Sequence, residues 1–479
     1  MSLQGAPQLV FGFHPQRPVV IEATAAQLSS DGGLLVVRQF DERLQFTARF
    51  AAALRDARCD ARHDLLSMVR QRIYGLLADY EDQNDHDELR SDPVFKLLAD
   101  RLPDDHDLAS QPTLSRFENA VTIPDLWRLR DVLLEQALDA FTQPPARITL
   151  DIDAFDDPTH GQQQLTFFHG YYDQHQYLPI AITCAETDQV LLVGLRHGTC
   201  HPALGADDDL RLIVERLRRR WPDVEIIVRG DSGFGVPVMY DVCEELGLTY
   251  TFGLGMNARL QRESQALLDQ ALAEYERIGR KQRLFLSLMY QAQSWPSPRR
   301  VIVKCEAHAQ GTNRRAVVTN RPGAELLPEA TYDEYTQRGE SENRNKELKR
   351  GLCADRLSDH RFLANFFRLS LHAAALNLLV RLRRVATRSP TPQALGISDP
   401  LPAEALAGAS RKQYFNRRRR EDPLGEGQPC TWRSRLIKVA VEVTSSARRV
   451  LVRLSSSWPH VDELLRLGAL VRAPAFRTG

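Results

Sequence analysis

Cysteine is scarce and scattered. The seven residues, Cys59, Cys184, Cys200, Cys243, Cys305, Cys353 and Cys430, include no Cys-x-x-Cys pair, so neither a zinc ribbon nor a disulfide framework is encoded and a reducing cytoplasm is expected. Neither sign of charge prevails: 62 Lys and Arg balance 62 Asp and Glu over 479 residues. That balance excludes a uniformly basic nucleic-acid binder and makes any DNA surface local. No window reaches the ~18 uninterrupted apolar residues of a membrane span, and Met1 to Val20 lacks a basic segment followed by an apolar core. Neither export nor membrane embedding is expected, and no internal repeat is evident.

What is present fits an ordinary globular chain of roughly three domains. From Phe40 to Phe141 apolar residues recur at helical spacing, as in Phe50, Leu54, Leu65, Leu66, Val69, Ile73, Leu76 and Leu77. Within this region Ser110-Gln-Pro-Thr-Leu-Ser-Arg116-Phe-Glu118 has the pattern of an N-capped, Arg-bearing helix, either an ordinary helix start or the short helix of a helix-turn-helix. Ten acids between Glu81 and Asp107 against Arg90, Lys96 and Arg101 predict a stretch that faces away from DNA. After Pro144-Pro145 the pattern changes to short β-branched runs at Ile148–Ile152, Leu178–Thr183, Val190–Leu195, Val224–Val228 and Leu248–Leu254, with helical patterns at Asp207–Arg220 and Val236–Leu246. The order predicts an α/β fold with a mixed sheet flanked by helices. A β-rich insertion is expected at 256–330, then helical periodicity from Arg338 to about Arg384, dense enough in its second half to pack on the sheet.

A linker follows at Ser389-Pro-Thr-Pro392 and from Pro402 to Ser410. Between Arg411 and Arg453 twelve basic residues, among them Arg417, Arg418, Arg419 and Arg420, meet four acids, and Tyr414, Phe415 and Trp432 interleave them. Such a tail suits phosphate contacts with stacking rings, and Leu436–Val443 with Val450–Leu454 reads as a hairpin. The expected division is a helical N-terminal DNA-binding or dimerisation domain at 1–145, a catalytic core in two parts at 146–255 and 331–386 around the insertion at 256–330, and a linker with a basic C-terminal DNA-binding or dimerisation region at 387–479.

Three carboxylate elements could carry chemistry. In Ile148-Thr-Leu-Asp-Ile-Asp153 the alternation puts Asp151 and Asp153 on one face of a strand. Asp231 follows an apolar run in Arg229-Gly-Asp-Ser-Gly-Phe234, where a strand gives way through glycines to a helix, the end of an α/β strand at which ligands bind. In the segment from Tyr335 to Lys349, helical spacing places Tyr335, Arg338, Glu342 and Lys349 on one stripe, an acid bracketed by bases.

The spacing of Tyr335, Arg338, Glu342 and Lys349 resembles the signature around the catalytic glutamate of DDE transposases from bacterial insertion sequences. With Leu150-Asp-Ile-Asp153, His160-Gly161, Leu195-Arg196-His-Gly198, Arg229-Gly-Asp-Ser-Gly-Phe234 and the segment Asn343 to Arg350, the chain looks like the 1380 family of these enzymes from about Gln111 to Trp458. The resemblance implies an RNase H-like core, a β-rich insertion between the second and third acids, binding of terminal inverted repeats and target DNA as a homodimer, and cut-and-paste movement of the element. It implies Asp153, Asp231 and Glu342 as the catalytic, metal-binding triad, holding two Mg²⁺ that Mn²⁺ can replace. Asp153 bridges both ions in that scheme. Tyr335, Arg338, Lys346 and Lys349 would contact DNA near the cut, and Arg116 with Arg417, Arg418, Arg419 and Arg420 would contact it elsewhere. Phe155 stands where the family usually has Thr, and Asp151 remains the alternative first acid. Trp295 could receive a flipped base or belong to a core. The implied setting is the bacterial cytoplasm, on the nucleoid. The competing readings are a nuclease that cuts without joining ends and an inactive DNA-binding derivative.

Overall fold

The structure, a computed structural model, describes residues 8–11, 13–59, 61–387 and 416–472. The expected linker, and Arg411 to Phe415 of the basic tail, lie outside them.

An eight-stranded mixed sheet organises the fold. Numbered within that sheet, its strands are β1 (Arg147–Ala154), β2 (Ile180–Cys184), β3 (Val190–Gly194), β4 (Glu225–Gly230), β5 (Thr249–Leu254), β6 (Gln282–Tyr290), β7 (Arg299–His308) and β8 (Gly311–Thr319), in the order β6-β7-β8-β5-β4-β1-β2-β3. β1, β4 and β5 are parallel, each pair joined through a helix-bearing crossover, whereas β2 and β3 form an antiparallel meander on one edge. The helices Ala206–Arg220 and Pro237–Glu245 cover one face, where Leu210, Ile213 and Leu217 bury against Leu150, Ile152 and Val228. These side chains alternate with the acids of β1, so one strand serves the core and the site at once.

The segment 256–330 holds three of the eight strands of this sheet. Its strands β6, β7 and β8 pair onward from β5 and widen the sheet, while its helix Gln265–Ile278 packs beside β7. Trp295, within this segment, is 6% exposed and set edge-on to Tyr240 and Tyr290 with Arg299 over its face, so it belongs to the core and cannot receive a base.

The other apolar core surrounds the helix Phe362–Ala386. By length and composition this helix could cross a membrane, but 89% of its most apolar window is buried inside the protein, as a core helix requires. It packs on β3, and its Asn377 side chain exchanges two 2.8 Å hydrogen bonds with the backbone N–H and C=O of Val190, closing a sheet edge that would otherwise be open. The same core includes the N-terminal helices and the C-terminal region, so the helical part of 1–145 and the region 416–472 do not have separate interiors. The hairpin Val441–Ser446 with Arg449–Leu454 pairs directly with the strand Gln27–Ser29. Glu118 is fully buried between Arg72 at 2.8 Å and Arg368 at 2.5 Å, an ionic triad that locks the N-terminal helices to the core helix. Some acids of the stretch from Glu81 are held in the fold: Asp92 caps a helix, Asp100 pairs with Arg38 and Arg70, and Asp107 with Lys96, while Asp82, Asp87, Glu88, Asp104 and Asp105 are exposed.

Candidate active site

Asp153 lies at the carboxyl end of β1, and Asp231 follows β4 by one residue. β1 and β4 pair in parallel from Arg147↔Glu225 to Ile152↔Gly230, an offset of 78. One position further, the same offset joins Asp153 to Asp231. Two acids far apart in sequence therefore share the end of two central strands, where a parallel sheet opens a crevice. Asp231 is fixed by its own turn, its Oδ1 accepting the Gly233 N–H at 2.8 Å. Gly253 on β5 leaves room for this turn: a Cβ there would stand 2.7 Å from the Ser232 nitrogen and 3.0 Å from the Tyr335 hydroxyl.

The third element is not one continuous helix. A helix at Pro328–Thr336 carries Tyr335, a second at Gly339–Lys346 carries Glu342, and a π-helical turn at Glu347–Gly351 carries Lys349. Across these breaks Tyr335, Arg338 and Glu342 still stand together, Arg338 pairing with Glu342 at 2.8 Å and neighbouring the Tyr335 phenol, whereas Lys349 turns to Asp156. Arg338 lies between two acids, its Nη1 3.6 Å from Asp153 Oδ2, and that buried nitrogen has no hydrogen-bond partner. Asn345 donates to Asp153 Oδ2 at 2.8 Å. Burial raises the Asp153 pKa to about 6, with Arg338 opposing and the Asp231 charge reinforcing the shift. The Tyr335 phenol is also pushed up, chiefly by burial.

Asp151 has a different environment. Arg229 holds both of its oxygens, at 2.7 and 2.8 Å, in an ion pair nearly closed to water, and also donates to the Glu334 carbonyl. Phe155 turns into the apolar core and is 7% exposed. Lys349 pairs with Asp156 at 2.6 Å, whereas Lys346 is exposed. Glu347, beside the signature residues, is buried between Arg344 and Arg383, which fastens the Glu342 segment to the core helix.

The remaining residues expected to touch DNA lie away from these acids in sequence. Arg116 is exposed on the helix Gln111–Asn119, which a short turn joins to the helix Ile123–Leu138, started by a Thr122–Asp125 capping box. Of the arginine run, Arg418 is bound to Glu426 at 2.5 Å, while Arg417, Arg419 and Arg420 are exposed on a helical turn at 416–421. Sequence reasoning missed Arg229, Asn345, Asp156 and Gly253. Arg229 begins the Arg229-to-Phe234 motif, but its partner on a neighbouring strand left no local signal.

An all-oxygen set of Asp153, Asp231 and Glu342 suits a hard divalent cation. Asp153 and Asp231 face each other closely enough for the charge of one to disfavour that of the other, the repulsion a cation relieves. Glu342 is joined to Asp153 through Arg338. Among the described residues, the trio whose ligand atoms all lie within 4.8 Å is a different one, Asp79, Glu81 and Cys353. There Arg433 pairs with Asp79 at 2.7 Å and Arg356 with Glu81, so guanidinium groups already supply the positive charge.

The fold is a mixed α/β sheet with two acids at the ends of adjacent central parallel strands, a place where α/β sheets bind ligands. The family described as "Transposase DDE domain group 1" matches residues 11–395. The chain belongs to this family of DDE transposases, enzymes that use divalent metal ions to cleave DNA and transfer strands. Among solved structures it is similar to piggyBac transposase in a synaptic complex with hairpin DNA, at 12% identity over 77% of this chain and 79% of that one, with a TM-score of 0.40. No curated protein matches it.

Proposed function

We propose that this transposase binds the terminal inverted repeats of a bacterial insertion sequence of the 1380 family as a homodimer and moves the element by cut-and-paste, in the cytoplasm on nucleoid DNA. The meander β1-β2-β3 followed by parallel β4 and β5 supports an RNase H-like core. The observation that carries the reading is the convergence of Asp153 and Asp231 at adjacent strand ends with Arg338 and Glu342 beside them.

Asp153, Asp231 and Glu342 would hold two Mg²⁺, or Mn²⁺ in their place. When bound, such ions acidify the attacking water or 3′-hydroxyl and stabilise the departing 3′ oxygen. Asn345 and Arg338 orient Asp153. Arg338, set between Asp153 and Glu342, supplies a guanidinium beside the scissile phosphate, and Lys349, oriented by Asp156, offers a point charge. Tyr335 and Lys346 border the cut, while Arg116 and the arginines at 417–420 hold DNA away from it.

The test uses a duplex carrying the DNA ends that flank the gene. Asp153→Ala, Asp231→Ala and Glu342→Ala should each abolish cleavage and leave end binding nearly intact, because phosphate contacts are spread over other surfaces. Near wild-type cutting by any one removes that residue from the triad. Cleavage without joining to a target plasmid rejects cut-and-paste.

A further inference from the structure

The helical N-terminal part of the chain holds a cavity of about 740 Å³, within the size range of small-molecule sites. Arg58, Arg62, His63, Arg90, His106 and Asp107 line it, together with Ser110 and Thr113 at the start of the helix Gln111–Asn119. Among the described lining residues, three arginines and two histidines thus meet one acid.

The arginines differ in how far their charge is already met. Arg58 holds both oxygens of Asp56, at 2.7 and 2.8 Å. Arg62 is exposed and has no ion pair among the described residues. Arg90 is exposed too and reaches Asp107 only at 4.0 Å, while buried Lys96 holds that acid at 3.3 Å. Two guanidinium groups therefore line one cavity without a close counter-charge. Arg101 fixes part of the wall, donating from Nη1 to the Asp107 carbonyl at 2.7 Å and from Nη2 to His63 Nδ1 at 3.0 Å. An arginine can only donate, so the His63 proton sits on Nε2 and makes that nitrogen a donor. Burial, and then the charges of Arg101 and Arg62, push the His63 pKa down to about 4, which keeps the ring neutral and leaves the charge to the arginines.

We propose that this cavity binds a small molecule bearing a multiply charged phosphate group, gripped by Arg62 and Arg90 with neutral His63 as a further donor. Guanidinium forks match phosphate oxygens, and the phosphate supplies the counter-charge that the lining lacks. A compact anion suits the place better than a DNA backbone does. Asp87 accepts the Gln111 N–H at 3.0 Å, next to the lining residue Ser110, and exposed Asp104 and Asp105 precede His106. An extended polyanion laid across the cavity would meet these carboxylates.

The probe is inorganic pyrophosphate, added to the full chain in EDTA so that no metal carries it to the acids at the ends of β1 and β4. Calorimetry measures its affinity, and iodoacetamide labelling read by peptide mass reports where it binds. Cys59 lines the cavity and is exposed, whereas Cys430 is exposed but not part of it. Pyrophosphate should slow the labelling of Cys59 and leave that of Cys430 unchanged. Arg62→Gln with Arg90→Gln should weaken binding by about tenfold or more and abolish the protection. Unprotected Cys59 in the wild type, or equal affinity in the double variant, overturns the proposal. So does protection of Cys59 by a short DNA duplex without pyrophosphate, which gives the cavity to the DNA backbone.

Discussion

Arg229 donates from Nε and Nη2 to the two oxygens of Asp151, at 2.7 and 2.8 Å, and both side chains are at least 97% buried. The acid two residues before Asp153 is thereby committed to joining β1 to β4. Asp151→Ala should strand a buried guanidinium and lower stability by about 3–5 kcal/mol, seen as a large fall in the urea midpoint. Asp153→Ala should abolish cleavage with little loss of stability. The reverse pattern would make Asp151 the first acid of the triad.

With its pKa raised to about 6 by burial, Asp153 favours the folded state while protonated. Stability from this group is fully present below the unfolded value near 4 and is lost as pH rises through about 6, by up to ~3 kcal/mol. Mn²⁺ needs the carboxylate, so its stabilising effect should be small at pH 5 and level off above pH 7. Thermal melts across this range, with and without Mn²⁺, check the point. Asp153→Asn should flatten both curves, and an unchanged Mn²⁺ response in that variant would place the ion elsewhere.

Neutralising Arg417, Arg418, Arg419 and Arg420 together should weaken DNA binding and reduce the slope of log K against log salt by roughly 0.9 for each phosphate that is no longer neutralised. Arg418 already pairs with Glu426, so Arg418→Gln alone should change the slope least. Cleavage at saturating protein should survive the quadruple change. Equal slopes for that variant and the wild type would put the arginines off the DNA.

Glu118 neutralises two arginines from different parts of the chain, Arg72 and Arg368, without exposure to water. Glu118→Gln should cost about 3–5 kcal/mol, because buried Arg72 loses its counter-charge and Arg368 keeps only the more distant Asp359. If chemical denaturation shows a change below ~1 kcal/mol, the triad does not hold the N-terminal helices to the core helix.

Local pattern was enough for much of this protein. Alternation in Ile148-Thr-Leu-Asp-Ile-Asp153 set which side chains face the core, glycines after Val228 marked the strand end that bears Asp231, and the density of Phe362 to Ala386 marked a buried helix. These are properties of a few consecutive residues, so the sequence by itself determines them. It could not show that Arg229 pairs with Asp151, that β6 to β8 extend the main sheet, or that Trp295 is enclosed. Each depends on partners tens of residues away, brought close by strand register and helix packing. Tyr335, Arg338 and Glu342 stay together, but not on one straight helix: the Glu347–Arg383 ion pair and burial of Leu348 against the core accompany a π-turn before Lys349 that 100° per residue does not anticipate. Sequence determined which chemical groups are available and which strand ends carry them; tertiary structure decided which are free to act, because burial and long-range ion pairing commit the others to the fold.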